Sequence, residues 1–111
     1  MDEHSFDPQL EELEKGATDR LLCAEVYDHE AFESLYEYLC SKAPTFSQSY
    51  VLPKQILKCI RAASGAIRSR AEYLHKVKPH LPMADKFEML LDQLIAGETC
   101  DDRVPGTPRV L

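Results

Sequence analysis

Apolar residues recur at helical spacing in four segments of the chain. The clearest segment begins at Pro53, a residue suited to the first helical position, and runs to Lys78, with Pro79 and Pro82 behind it. We predict a helix over 53–78, about 39 Å long at 1.5 Å per residue, which makes it the longest element of the fold. Its apolar positions alternate in steps of four and three, broken only at Arg70, where an apolar residue would be expected: Ile56, Ile60, Ala63, Ile67, Leu74 and Val77.

A second helical pattern follows at once, starting at Pro82. Gly97 stands where a glycine commonly ends a helix, in the position just past the last turn. The short connection between Lys78 and Met83 predicts that the two helices pack as an antiparallel hairpin. The apolar face of this helix is wide: Met83, Phe87, Leu90, Leu91, Leu94 and Ile95.

Two further helices are predicted upstream. Asp28 is a good N-cap for one that runs to about Lys42, where Ala43 and Pro44 end it, because the residue before proline avoids the helical region. Its predicted buried face is Phe32, Leu35, Tyr36, Leu39 and Cys40.

The most amino-terminal helix is the least regular. It starts near Pro8, but Gly16 and the Thr18–Asp19 pair weaken it, so the segment forms either one helix or two short helices that meet there. A strand over residues 21–27 is the alternative, since short apolar runs are ambiguous. The apolar positions are Leu10, Leu13, Ala17, Leu21 and Ala24.

The two remaining segments lack periodicity. Residues 44–52 are polar and rich in serine, and we expect Phe46 and Tyr50 to anchor this linker. Residues 98–111 contain two prolines and predict an extended or disordered tail. The sequence therefore predicts one all-α domain over 1–97, a four-helix up-down bundle with a long third helix and an extended C-terminal tail over 98–111.

Composition narrows the environment. The chain has 111 residues, 44% of them hydrophobic, and a net charge of −6. It has no 18-residue apolar run and no basic-then-apolar start, so we expect no membrane partner and a cytoplasmic location. The four cysteines lack the C-x₂₋₄-C spacing of a zinc site, and we expect mostly buried free thiols, with disulfides as the alternative: Cys23, Cys40, Cys59 and Cys100.

Charge is strongly segregated along the chain. Residues 1–52 contain 12 acidic and 3 basic residues, whereas 53–86 contain 2 acidic and 8 basic residues. The alternative to a binding role is that these acidic and basic residues are simply the solvated outer faces of a helical bundle. The outer face of the second helix is acidic with neighbouring tyrosines, Tyr27, Asp28, Glu30, Glu33, Glu37 and Tyr38, and that of the third is basic, Lys54, Lys58, Arg61 and Arg68.

Motifs for catalysis or cofactors are missing from the sequence. Glu72 and His75 form one E-x-x-H, but a di-iron bundle needs two copies, and there is no glycine-rich phosphate loop or nucleophile elbow. We therefore predict a protein that is not an enzyme and uses no cofactor or metal.

Two functions fit this surface. The first is a small acidic interaction module, an inhibitor of the immunity-protein type or an adaptor or regulator, that docks on a basic partner protein through its acidic, tyrosine-bearing helix. The alternative is a binder of nucleic acid or another anionic ligand that uses the basic stripe, which the acidic first half of the chain disfavours. A homo-oligomer is compatible with both.

Overall fold

The structure, a computed structural model, describes residues 6–46 and 49–98 and shows four helices there, with no strand. The all-α prediction is confirmed, and the alternative of a strand over 21–27 is wrong. The first helix has three consecutive parts, and the elements in chain order are α1 (Pro8–Glu14), a π-helical turn (Lys15–Asp19), α2 (Arg20–Ala24), α3 (His29–Phe46), α4 (Lys54–Ala71), a 3₁₀ turn (Lys78–His80) and α5 (Leu81–Ala96).

The π-helical turn falls where the sequence weakens the first helix. Two α-helical parts, α1 and α2, meet there, and the backbone stays helical through the turn that joins them. Ala17 and Thr18 are buried in the turn, and the wider turn lets both side chains face the core.

Helix directions alternate along the chain. The backbone N–H of Asp7, before α1, donates to Gln55 Oε1 at the start of α4 (2.8 Å), so α1 and α4 begin at the same end. Arg68 near the end of α4 reaches Glu88 in the first half of α5, which makes these two helices antiparallel, as the short connection predicts. Helices consecutive in the chain are not always neighbours, since α3 packs chiefly on α1 and α5 while α4 packs chiefly on α5 and α2.

The core joins one apolar stripe from every helix. The rings of Phe32 in α3 and Phe87 in α5 meet edge to face with centroids 6.3 Å apart, a favourable aromatic geometry. Ile60 and Ile67 fill the α4 side of this core with no exposed surface. Other large side chains buried here are Leu10, Leu21, Leu35, Leu39 and Leu90.

The helix predicted over 53–78 ends earlier, at Ala71, so the prediction of a long third helix is wrong at its carboxyl end. Its 18 residues span about 27 Å, the same as α3. The apolar spacing breaks at Arg70, whose carbonyl accepts from Leu74 N–H (2.8 Å) in a turn. Val77 is fully buried in the turns that follow, and the burial of this apolar side chain favours ending the helix before it.

The predicted end of the second helix is also wrong, because α3 continues through Pro44 to Phe46. Proline has no N–H to donate to the carbonyl four residues before it, so Pro44 removes one hydrogen bond from the last turn of α3. Ala43 is fully buried and Phe46 packs partly against the core, which favours the extra turn.

Both predicted helix-end signals are confirmed. Asp28 Oδ1 accepts from Ala31 N–H (3.1 Å) at the start of α3, as an N-cap does. Gly97 ends α5 with φ of 79°, and Glu98 N–H then donates to Gln93 O (2.7 Å), a Schellman closure.

Cysteines and linker residues depart from expectation. Cys59 is a buried free thiol as predicted, and burial raises its pKa to about 12. Cys23 is free but exposed, and Cys40 is disulfide-bonded, so the expectation of buried free thiols is wrong for both. Disulfide pairing depends on tertiary distances that sequence spacing does not reveal. Tyr50, expected to anchor the linker, is fully exposed; the predicted tail, apart from Glu98, lies outside the described residues.

A pair of isoleucines tests the core assignment. Ile60→Ala should lower the free energy of unfolding by about 2–5 kcal/mol, because Ile60 is fully buried. The matched change Ile95→Ala, at a residue 68% exposed, should shift it by less than about 0.5 kcal/mol. Urea denaturation of both variants measures this, and equal losses would show that the α4 face is misassigned.

Two glycines predict stability changes of opposite sign. Gly65 lies exposed within α4, and a Cβ there would meet nothing within 4 Å, so Gly65→Ala should stabilise by about 0.5–1 kcal/mol. Gly97→Ala should destabilise by about 1–2 kcal/mol, because the left-handed backbone disfavours a Cβ. Thermal unfolding distinguishes the two, and stabilisation by Gly97→Ala would contradict the helix end described here.

Candidate interaction surface

Three glutamates of α3 form an exposed row. Glu30, Glu33 and Glu37 are separated by three and four residues, which places them on one face of the helix. We call these three residues the acidic row. Glu33 lies 3.4 Å from His29 Nε2, whereas Glu30 and Glu37 have no ion-pair partner within the described part of the chain. The acidic row is therefore a patch of exposed negative charge that neighbouring basic residues neutralise only in small part.

Asp28, predicted as part of the docking surface, is used by the fold instead. One carboxylate oxygen caps α3, and the other lies 3.3 Å from Arg20 Nη1. A partner that bound Asp28 would compete with both contacts. The sequence placed it correctly as an N-cap, but could not show that Arg20 reaches it.

Tyr38 is likewise bound within the molecule. Its hydroxyl donates to Asp7 Oδ2 (2.6 Å), while Asp7 Oδ1 accepts from the backbone N–H groups of Gln9 and Leu10. Gln55 Nε2 donates to the Asp7 carbonyl (2.9 Å), so Asp7 ties together α1, α3 and α4. We call Asp7, Tyr38 and Gln55 the Asp7 junction.

The ionisation of Asp7 and Tyr38 reflects this contact. Burial raises the pKa of Asp7, but the Tyr38 hydroxyl, the two backbone donors and nearby Lys42 outweigh it, and the net pKa is lowered. Burial and the Asp7 carboxylate raise the pKa of Tyr38 to about 12. Both shifts favour one state, an ionised Asp7 with a protonated Tyr38.

Tyr27, also predicted as a docking residue, is engaged within the molecule too, and its ring stacks with two others. Its centroid is 5.0 Å from that of Phe32 and 4.1 Å from that of His80. Its hydroxyl is 3.3 Å from His29 Nδ1. Burial and the charge of Glu33 raise its pKa to about 12.

Tyr27, His29 and Glu33 thus place a hydroxyl, an imidazole and a carboxylate in line. His29 is an adjacent base, but the raised pKa of Tyr27 makes loss of its proton unfavourable at neutral pH. Its stacking beneath His80 also covers one face of its ring. The geometry therefore supports a structural contact better than a catalytic group.

The basic stripe is partly neutralised. Arg68 donates from Nε and Nη2 to both carboxylate oxygens of Glu88 (2.7 Å each) and also contacts Asp85, which together raise its pKa. Lys54, Lys58 and Arg61 remain exposed. The charge of Lys58 acts on Glu14 and that of Arg61 on Glu88, so carboxylates of α1 and α5 flank the stripe.

Other kinds of site receive little support in residues 6–46 and 49–98. No group of three His, Cys, Asp or Glu side chains there could hold a metal ion, and Glu72 and His75 are exposed in the turns after α4. No helix of this part is long and apolar enough to cross a membrane. A groove of about 350 Å³ lies between α1 and α4, lined by Phe6, Glu11, Glu14, Lys54, Gln55 and Lys58.

Sequence reasoning missed the Asp7 junction and the stacking of Tyr27 on His80. Asp7 before Pro8 is visible as an N-cap signal, but its partners Tyr38 and Gln55 are 31 and 48 residues away. Tyr27 and His80 are likewise far apart in the sequence. Helical periodicity reports which face a residue occupies, and it does not report which side chain faces it from another helix.

Tyr38→Phe should lower the free energy of unfolding by about 1 kcal/mol at pH 7, because it removes a hydrogen bond to an ionised carboxylate. The lowered pKa of Asp7 gives stability that is present above pH 3.8 and lost as pH falls through the folded-state pKa. The variant should therefore lose less stability on acidification. Tyr36→Phe is the control, since its hydroxyl has no hydrogen bond among the described residues; equal effects would contradict the junction.

Comparisons of the chain with protein-family models, with curated proteins and with solved structures find no match. The functional conclusions therefore depend on the geometry and charge of the described residues alone.

Proposed function

We propose that this chain is a small acidic, non-enzymatic protein-interaction module that docks on a basic partner protein through the acidic row. An inhibitor of the immunity-protein type and an adaptor or regulator both work in this way. The observation that carries the proposal is that Glu30 and Glu37 are exposed and have no ion pair with any residue of 6–46 or 49–98, on the same helical face as Glu33. Patches of a single sign attract a complementary partner and orient its approach.

Tyr27, Tyr38 and Asp28 support the helix that carries the acidic row. Tyr27 and Tyr38 hold the two halves of α3 against the rest of the fold, and Asp28 caps its start. A helix fixed at several points presents its carboxylates in one arrangement, which reduces the entropy lost on binding.

The alternative remains a binder of nucleic acid or another anion through the basic stripe. It is favoured by Lys54, Lys58 and Arg61, which are exposed in α4. With Arg68 held by two carboxylates, only three cations remain, and three phosphate contacts give a salt dependence of about 2.7 log units per log unit of salt. Glu14 and Glu88 beside the stripe repel phosphate, which ranks this function second.

We propose a cytoplasmic location from the sequence alone. The disulfide at Cys40 counts against it, because disulfides persist mainly in oxidising compartments. A homo-oligomer stays a proposal as well; the exposed Gly65 of α4 offers a place where a second helix could approach closely.

The decisive variant reverses the acidic row, with Glu30, Glu33 and Glu37 all changed to Lys. It should stay folded with a modestly lower melting temperature, because exposed substitutions usually cost less than about 0.5 kcal/mol each, and a lysine in place of Glu30 opposes the dipole at the start of α3. Proteins captured from native lysate at low salt should be lost. The matched control changes three exposed acidic residues elsewhere to Lys, Glu12, Glu72 and Asp92, and should retain the captured proteins at the same net charge.

Two results would overturn the proposal. Equal loss by the reversal and its control would mean that net charge alone matters, and capture unaffected by both would leave the acidic row without a role. Binding of a labelled single-stranded oligonucleotide, abolished when Lys54, Lys58 and Arg61 are changed to Gln, would establish the alternative instead.

A further inference from the structure

Two histidines from different elements meet at one end of the bundle. His29 lies in the first turn of α3, and His80 lies immediately before α5. Their ring centroids are 5.2 Å apart, and Tyr27 stacks on His80 at 4.1 Å. Phe32 also stacks on Tyr27, with ring centroids 5.0 Å apart, which connects the histidines to the core. The start of α3 and the start of α5 are thus joined largely through aromatic rings.

The surroundings of this pair disfavour two positive charges. Both residues stand at helix N-termini, where the helix dipole opposes a cation. Glu33 is the carboxylate that faces His29, and Tyr27 is uncharged at neutral pH. From α2, Arg20 faces Asp28 rather than the histidines.

Among residues 6–46 and 49–98, His80 has no carboxylate partner. Within the described part of the chain, no acidic group of α3, α5 or the preceding 3₁₀ turn lies at ion-pair distance from its ring. A proton on His80 would therefore face His29 without compensation, while a proton on His29 has Glu33 beside it. The two histidines are not equivalent, and His80 is the sensitive member.

We propose that His29 and His80 form a pH-sensitive switch that holds the start of α3 against the start of α5 while His80 is neutral and loosens this contact when His80 is protonated. The segment that loosens carries Glu30 and Glu33, so acidification disturbs the amino-terminal part of the acidic row. The switch follows from the ring cluster itself and does not depend on the proposed function.

The direction of the effect follows from linkage. Burial and the nearby His29 lower the pKa of His80 below 6.5. The unfolded chain then binds more protons than the folded chain as the pH drops below 6.5. The contact contributes its full stability above pH 6.5, and that stability is lost as pH falls from 6.5 through the folded-state pKa of His80.

Histidine ring signals followed by NMR between pH 8 and 4.5 test the coupling. In the intact chain His80 should titrate below 6.5, and His29→Gln should move its pKa upward by removing the neighbouring charge. His75→Gln is the control, since His75 is exposed, and it should leave His80 unchanged. A His80 pKa at or above 6.5, or one that His29→Gln does not raise, would overturn the proposal.

A stability measurement tests the consequence. The urea midpoint is measured at pH 7.5 and at pH 5.0. The decrease between the two pH values should be larger for the intact chain than for His80→Gln, because glutamine cannot gain the proton. Equal decreases would show that the pair does not act as a switch. If His80→Gln does not fold, the NMR comparison with His29→Gln still decides the question, because a purely structural role for His29 would not shift the pKa of His80.

Discussion

The fold depends on one apolar core that four helices close together. Phe32 and Phe87 meet at its centre, and Ile60 and Ile67 complete it from α4. A chain of 111 residues has apolar surface for only one such core, so every apolar stripe must face it. This requirement also ends α4 at Ala71, since only a turn there lets Val77 reach the interior and α5 run back along α4.

Closing the core leaves the charged residues outside, and their pairing then decides what the surface can do. Arg68 is held by α5, and the charges of Lys58 and Arg61 act on carboxylates of neighbouring helices. The acidic row has little such compensation, because α3 packs chiefly on α1 and α5 and turns this face to solvent. The difference between the two faces arises from packing, and it is the reason why we propose a basic partner protein rather than a nucleic acid.

Local signals in the sequence predicted the elements well. Asp28 caps α3, Gly97 ends α5, and the weak point at Gly16 became a π-helical turn, because each of these features depends on residues a few positions apart. The end of α4 was visible in part, as the irregular position at Arg70 in an otherwise regular stripe. Pro44 misled the prediction because its conformational preference is weaker than the burial of Ala43 beside it.

Long-range contacts could not be predicted, because they depend on residues that are far apart in the sequence. Tyr38 meets Asp7, Tyr27 meets His80, and Cys40 is disulfide-bonded, all through tertiary placement that periodicity does not encode. The predicted docking residues therefore divide into two groups. Glu30, Glu33 and Glu37 form the exposed row, whereas Tyr27, Asp28 and Tyr38 proved to be its support.

Carbodiimide cross-linking tests the central claim most directly, since it joins a carboxylate to a lysine only where the two are in contact. The reaction would be run on the intact chain in native lysate at low salt, and the joined peptides identified by mass spectrometry. The account predicts that lysines of the partner protein are joined to Glu30, Glu33 or Glu37. Partner lysines joined only to acidic residues elsewhere, such as Glu72 or Asp92, would contradict it.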